Sequence, residues 1–174
     1  IASINPDVKV VTYQTRVYSG NIAGIIKDYD FIIDGTDNFA AKFLINDACV
    51  FGAKPFSHGG ILRFDGQAMT YVPGHTCYRC IFGASPPKGA VPTCSQAGIL
   101  GAVAGMLGTI QAAEALKFLI GKGELLVNRL LIFNALEMKF RQAEFKRNPN
   151  CPLCGNNPTI KELIDEALPA CDLK

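Results

Sequence analysis

The sequence predicts an α/β domain in which parallel strand–helix units run into an antiparallel meander, with a four-cysteine metal clasp joining its middle to its end. Three observations carry this. Over residues 8–51, β-rich apolar runs alternate with runs of helical spacing, the pattern of strands covered by helices. An Asp65-Gly66 dipeptide then separates two further β-rich runs, a hairpin-turn signature. Finally, Cys77-x-x-Cys80 and Cys151-x-x-Cys154 repeat one spacing.

The cysteine pairs are the most informative of the three. A lone CxxC suits a redox dithiol or a turn with two buried thiols as well as it suits a metal. Two pairs favour metal, each in a turn-like context: Pro73-Gly74 precedes the first, and Pro152 and Gly155 lie in and after the second. Four thiolates close a tetrahedral shell around structural zinc, and a two-residue spacer lets one tight turn present both sulfurs of a pair. The 70 residues between Cys80 and Cys151 exceed what a self-contained ribbon needs. The metal therefore pins distant parts of the chain together.

In chain order, Val8 to Tyr13 alternates after the turn signal Asn5-Pro6-Asp7 and reads as a first strand. Asn21 caps a short helix through Lys27. Asp30 to Gly35 is a short apolar, buried strand. Phe39, Phe43, Leu44, Ala48 and Phe51 mark a helix that Gly52 and Pro55 stop. Pro55–His58 and Gln67–Val72 are strands joined around Arg63-Phe64-Asp65-Gly66. Gly83, Pro86, Pro87, Gly89 and Pro92 make the stretch between Cys80 and Cys94 a mobile loop. The longest helix runs from Gln96 to Ile120. It carries Gly98, Gly101, Gly105 and Gly108, each costing about 1 kcal/mol relative to alanine. Close backbone packing is the favoured return on that cost, ahead of a membrane GxxxG pair. Arg129–Asn134 and Lys139–Phe145 are the last strands, and Thr159 caps a helix to Ala167.

With 174 residues and 49% hydrophobic content, the chain has the core of one domain, spanning residues 1–174. A net charge of +2 leaves no basic stripe, which argues against nucleic acid as a partner. The basic residues Lys139, Arg141, Lys146 and Arg147 sit on an alternating segment and read as a solvated strand face. The uncharged stretch from Val91 to Ala113 contains proline, serine, glutamine and four glycines, so a buried helix suits it better than a membrane span. An odd count of seven cysteines, with pairs spaced for metal, fits a reducing cytoplasm better than an oxidising compartment.

Asp34-Gly35-Thr36-Asp37-Asn38 lies where a strand ends and a helix begins, the place where open α/β sheets bind ligands. Asp37 can hold magnesium there, or Asp37 or Asn38 can simply cap the helix. Cys94 precedes the long helix, where the dipole favours thiolate, so it is a candidate nucleophile or a small structural residue. Cys49 reads as inert core. Neither His58 nor His75 is needed as a ligand beside four cysteines. No G-x-G-x-x-G follows a strand and no G-x-x-x-x-G-K-[ST] occurs, so the usual phosphate-cradling loops are absent.

The strand-end motif, His58-Gly59-Gly60, Cys77-Tyr78-Arg79-Cys80, Cys94 before Gly98-Ile99-Leu100-Gly101, Gly108-Thr109-Ile110-Gln111-Ala112 and Cys151-Pro152-Leu153-Cys154-Gly155 stand in one order. Together they closely resemble the ThiF/MoeB/HesA family of sulfur-carrier adenylyltransferases, relatives of ubiquitin-activating enzymes. The resemblance implies a Rossmann-like sheet continuing into a mixed or antiparallel sheet, the C-terminal two-thirds of an adenylyltransferase domain. It covers about residues 3–155, so the family's nucleotide loop, ribose-binding acid and triphosphate-gripping arginine and lysine would precede Ile1. On that reading the 174-residue chain alone is inactive.

The resemblance further implies Asp37 as the residue for magnesium and ATP, Asn38 as a neighbouring ATP contact, and Cys77, Cys80, Cys151 and Cys154 as zinc ligands. It implies Cys94 as the cysteine that, in some branches, links to the carrier or takes part in sulfur transfer. The implied reaction is attack of the terminal glycine carboxylate of a ubiquitin-like sulfur carrier, of the thiamine or molybdopterin type, on the α-phosphate of ATP. The loop at 81–93 would cross over the carrier's tail, and the enzyme would be a cytoplasmic homodimer acting without membrane or nucleic acid. A non-catalytic, zinc-stabilised module that binds a ubiquitin-like partner is the alternative, and a zinc-ribbon nucleic-acid binder is disfavoured by charge.

Overall fold

The computed structural model describes residues 1–87, 90–91 and 97–166. Its elements follow as helix α1 (Ile22–Ile26), strand β1 (Ile32–Asp34), helix α2 (Phe39–Phe51), strands β2 (Phe56–Leu62) and β3 (Asp65–Tyr71), helix α3 (Tyr78–Phe82), helix α4 (Gly101–Ile120), and strands β4 (Arg129–Asn134) and β5 (Lys139–Glu144). They build one five-stranded sheet in the order β1-β2-β3-β4-β5. β1 pairs parallel with β2, with Asp34 opposite His58, and the remaining neighbours pair antiparallel. The expected passage from parallel to antiparallel pairing is therefore what forms.

Both faces of the sheet are covered. On one, α2 presents apolar residues around a full turn, Phe43, Leu44, Ile45, Ala48 and Cys49 all being buried. They pack with Ile22, Phe56, Met69, Tyr71 and Leu130, and this cluster runs on into Cys77, Tyr78, Cys151 and Leu153. On the other face, Val103, Leu107, Gln111 and Glu114 of α4 form a stripe at spacings of four, four and three against the sheet. By length and hydropathy α4 can cross a membrane. Its two buried polar residues are instead satisfied inside the protein: Glu114 accepts from Thr70 Oγ1 at 2.6 Å and from Leu126 N at 2.7 Å, and Gln111 donates to backbone carbonyls of β1 and β2. One face of α4 is thereby fixed on the sheet, while most of the helix stays exposed.

Several expectations give way. Val8–Tyr13 forms no strand; Val8, Val10, Val11 and Tyr13 are about half exposed, and no described strand offers the segment a ladder to join. The strand expected over Asp30–Gly35 shortens to three residues, and Ile33 is exposed rather than buried. The hairpin turn is made by Arg63-Phe64, with Arg63 at φ 56°, so Asp65-Gly66 lies inside β3. Within the described residues the long helix runs from Gly101, since Gly98 adopts φ 74° and breaks the helical path; its expected start at Gln96 lies outside them. Gly101, Gly105 and Gly108 meet nothing within 4 Å among the described residues, so the close packing expected of them is not seen there. No helix forms over residues 159–166, where Thr159 N and Ile160 N both donate to Pro152 O and fold the segment back. Asn21 precedes α1 as expected but does not cap it; its side chain bonds Tyr18 N and Arg16 O instead.

Gly66 is required by a neighbour. It sits opposite Phe133 in the β3–β4 ladder, and a Cβ there would stand 2.2 Å from that ring, which is itself stacked on Phe140 at 5.5 Å. Gly66→Ala is expected to lower stability by about 1–3 kcal/mol through overpacking, read as a lower urea midpoint at unchanged m-value. Adding Phe133→Leu should recover part of the loss; equal loss in both backgrounds would refute the steric account.

Candidate functional site

At the carboxyl end of β1 the chain buries a carboxylate. Asp34 is 1% exposed, and all its acceptor capacity is used. Oδ1 accepts from Thr36 N at 2.9 Å and Thr36 Oγ1 at 2.6 Å; Oδ2 accepts from Lys42 Nζ at 3.1 Å and His58 Nδ1 at 3.0 Å. Lys42, one turn into α2, also donates to Gly59 O at 2.6 Å. From the opposite face, Gln111 Nε2 reaches Asp34 O at 2.9 Å and Ser57 O at 3.1 Å. Gly59 makes room for it, since a Cβ there would lie 2.6 Å from Gln111 Oε1. One strand end is thus tied to α2, β2 and α4 together.

Burial alone would push the Asp34 carboxyl up, but the His58 hydrogen bond and the Lys42 charge outweigh it and hold the group at about 2. Burial pushes the His58 imidazole below its ordinary value, against the pull of Asp34. With an ionised carboxylate facing Nδ1, that nitrogen carries the hydrogen, and Nε2 is left as an acceptor with no partner among the described residues.

Above this root, residues 35–38 form the loop into α2. Asn38 Oδ1 accepts from Ala41 N at 2.9 Å, which assigns the helix cap to Asn38 rather than Asp37. Asp37 is exposed at the mouth of the strand end, its Oδ1 receiving the Asn38 amide at 3.3 Å. The loop therefore presents one capping amide and one exposed carboxylate side by side.

The second centre unites the two CxxC turns. Their four sulfurs lie within 4.8 Å of one another. Cys77 Sγ stands 3.8 Å from Cys80 and 3.7 Å from Cys151, while Cys154 Sγ is 3.4 Å from both Cys77 and Cys80. All of these separations exceed a disulfide bond of about 2.05 Å. They match the edge, about 3.8 Å, of a sulfur tetrahedron drawn around a metal at about 2.3 Å. His75 stands apart, bonded to Asn128 at 3.2 Å. Cys49 is fully buried and its thiol is pushed up to about 12 by burial, so it is inert as expected. Cys94 and Cys171 lie outside the described residues.

The two centres touch. Tyr78, inside the first CxxC turn, packs its ring 4.5 Å from His58 and donates its backbone N–H to Asn46 Oδ1 at 2.8 Å. Arg79 makes a bidentate pair with Asp47, both bonds at 2.7 Å, with its guanidinium 4.6 Å over the Phe43 ring. Lys42, Asn46 and Asp47 were not singled out in the sequence. Their signal was there: three polar residues in a helix whose other faces are apolar must find partners.

Because the unfolded chain binds protons at Asp34 and His58 more readily than the folded one, stability falls as pH drops. The His58 contribution declines from about pH 6.5 downward, and that of Asp34 between about pH 4 and its folded value near 2. Asp34→Asn, which strands a buried Lys42, should cost about 3–5 kcal/mol at pH 7 and flatten the dependence below pH 4. Urea midpoints across pH check both; an unchanged acid limb in the variant would refute the assignment.

Comparison with known proteins fits this architecture. A family model described as the ThiF family matches residues 1–153. The chain is 43% identical over 171 residues to the "Sulfur carrier protein adenylyltransferase" of Thermus thermophilus, covering 95% of this chain and 63% of that protein. It is 43% identical over 155 residues to the "SAMP-activating enzyme E1" of Haloferax volcanii, covering 89% and 57%. Against "Adenylyltransferase and sulfurtransferase MOCS3" of Drosophila virilis it is 40% identical over 171 residues, covering 97% and 38%. The chain thus spans less than two-thirds of each of these relatives. Its fold is shared with E. coli MccB, solved with ATP, at a TM-score of 0.73 and 19% identity over 88% of this chain and 48% of that one. The chain belongs to the ThiF family.

Proposed function

We propose that this chain is the C-terminal part of an adenylyltransferase domain, in an enzyme that adenylates the terminal glycine of a ubiquitin-like sulfur carrier with ATP. The single observation that carries the reading is 43% identity, over nearly the whole chain, to a sulfur carrier protein adenylyltransferase. An exposed carboxylate beside a helix N-terminus at a strand end supports it. Asp37 is the residue that would hold magnesium, and Asn38 keeps the first turn of α2 in register beside it. Magnesium held there would supply charge neutralisation on the phosphates; the carrier's carboxylate attacks the α-phosphate of ATP and pyrophosphate leaves. Asp34, Lys42 and Gln111 hold the loop that presents Asp37. No general base is needed, because the attacking carboxylate is already ionised.

Cys77, Cys80, Cys151 and Cys154 fit zinc in a closed, structural role, with no position open for chemistry. Cys94 acts after adenylation, on the activated carrier terminus. A reducing cytoplasm suits four cysteines spaced to hold a metal as thiolates, and a homodimer is supported by the open glycine face and exposed Leu116, Leu119 and Ile120 of α4.

Elemental analysis should find one zinc per chain, and Cys151→Ser should lose it together with several kcal/mol of stability. Zinc content unchanged by that substitution would refute the clasp. In a full-length protein carrying these residues, Asp37→Asn should abolish ATP–pyrophosphate exchange, a loss of at least about 100-fold, without lowering the melting temperature. Retained exchange would reduce Asp37 to a loop residue.

A further inference from the structure

The imidazole of His58 is poorly explained as core filling. The residue is 1% exposed, with Tyr78 at 4.5 Å and Phe82 at 6.5 Å between ring centroids, and its Nε2 has no partner among the described residues. An orphaned buried nitrogen costs about 1–3 kcal/mol, which a leucine or phenylalanine at the same place would avoid. What the ring gains is its bond to Asp34.

That bond has a geometric consequence. A carboxylate is planar, so whatever fixes one oxygen sets the direction of the other. Thr36 donates both of its bonds to Asp34 Oδ1, and those bonds shape the turn leading to Asp37. Two donors hold Oδ2. Lys42, buried and also bonded to Gly59 O, supplies a point charge that fixes the distance to that oxygen but sets no plane for the carboxyl group. His58 is a flat ring on β2, locked by Tyr78, and its Nδ1–H is aimed along one line. His58 therefore adds a directional restraint on rotation of the Asp34 carboxyl to those of Thr36 and Lys42.

We propose that His58 is a positioning residue for the strand-end loop, acting through Asp34 to hold residues 35–38 where Asp37 meets its cation. This rests on the assignment of Asp37 to magnesium made above. The role uses Nδ1 alone, and that makes it testable by shape. An asparagine amide nitrogen falls near the place of Nδ1, a glutamine amide near that of Nε2.

The experiment measures pyrophosphate exchange against magnesium concentration at saturating ATP and carrier, in a full-length protein carrying these residues, with melting temperatures recorded alongside. His58→Leu should raise the magnesium midpoint by about 10- to 100-fold, the usual cost of losing an outer-shell partner. His58→Asn should restore most of the affinity and His58→Gln should not, whatever their order of melting temperature. A normal midpoint in His58→Leu, or equal impairment of the asparagine and glutamine variants, overturns the proposal. Should His58→Leu fail to fold, the comparison of asparagine with glutamine decides alone. Asp37→Asn separates the two levels: retained exchange there removes the cation assignment and this role with it, whereas lost exchange beside an unaffected His58→Leu removes only the role of His58.

Discussion

The arrangement around β1 depends on one carboxylate that cannot reach water. A buried charge of this kind persists only when its surroundings are committed to it, and for Asp34 that commitment draws Lys42 from α2 and His58 from β2 to the same oxygen. Gln111, from the other side of the sheet, bonds the carbonyl of the same residue. The strand is only three residues long, too short for its ladder to hold the end rigidly. Side chains from three elements do so instead, and the loop bearing Asp37 and Asn38 is built on that fixed point.

The cysteine clasp extends the same logic to the chain's far end. Its first turn is docked on α2 by Arg79–Asp47 and by Asn46 receiving Tyr78 N–H, so a metal holding Cys151 and Cys154 also anchors the segment after β5. From there residues 156–166 return across the protein, where Asp165 accepts two bonds from Ser19 and Glu166 pairs with Arg79 at 3.7 Å. The exposed Ser19–Asp165 bonds contribute little individually. The bidentate Arg79–Asp47 pair is buried, and it is the contact whose loss would free the turn.

Much of this was legible in the sequence. Helix α2 matches its apolar spacing and stop signals residue for residue, β4 matches its β-rich run, and repeated CxxC spacing located the four sulfurs. These features are local or carry a chemical signature. Failures came where an outcome depends on partners distant in sequence. Val8–Tyr13 has strand alternation but nothing described to pair with, and residues 159–166 follow a helical pattern yet are folded back by bonds to Pro152. At the strand end, the position of Asp37 and Asn38 between β1 and α2 was readable because their motif is contiguous. Lys42 and Gln111 were not read as part of it, since nothing local says that residues 8 and 77 positions beyond Asp34 bond to it.

The proposed cation and nucleotide would meet a strand end that is already preorganised before either arrives. A crystal structure of a full-length protein carrying these residues, solved with and without ATP and magnesium, tests it most directly. Preorganisation predicts that residues 34–38 superpose within about 1 Å in the two states, with the Asp37 carboxylate on the cation and the Asp34–His58 bond intact in both. A loop displaced by more than about 2 Å on binding, or a cation held without Asp37, would contradict it.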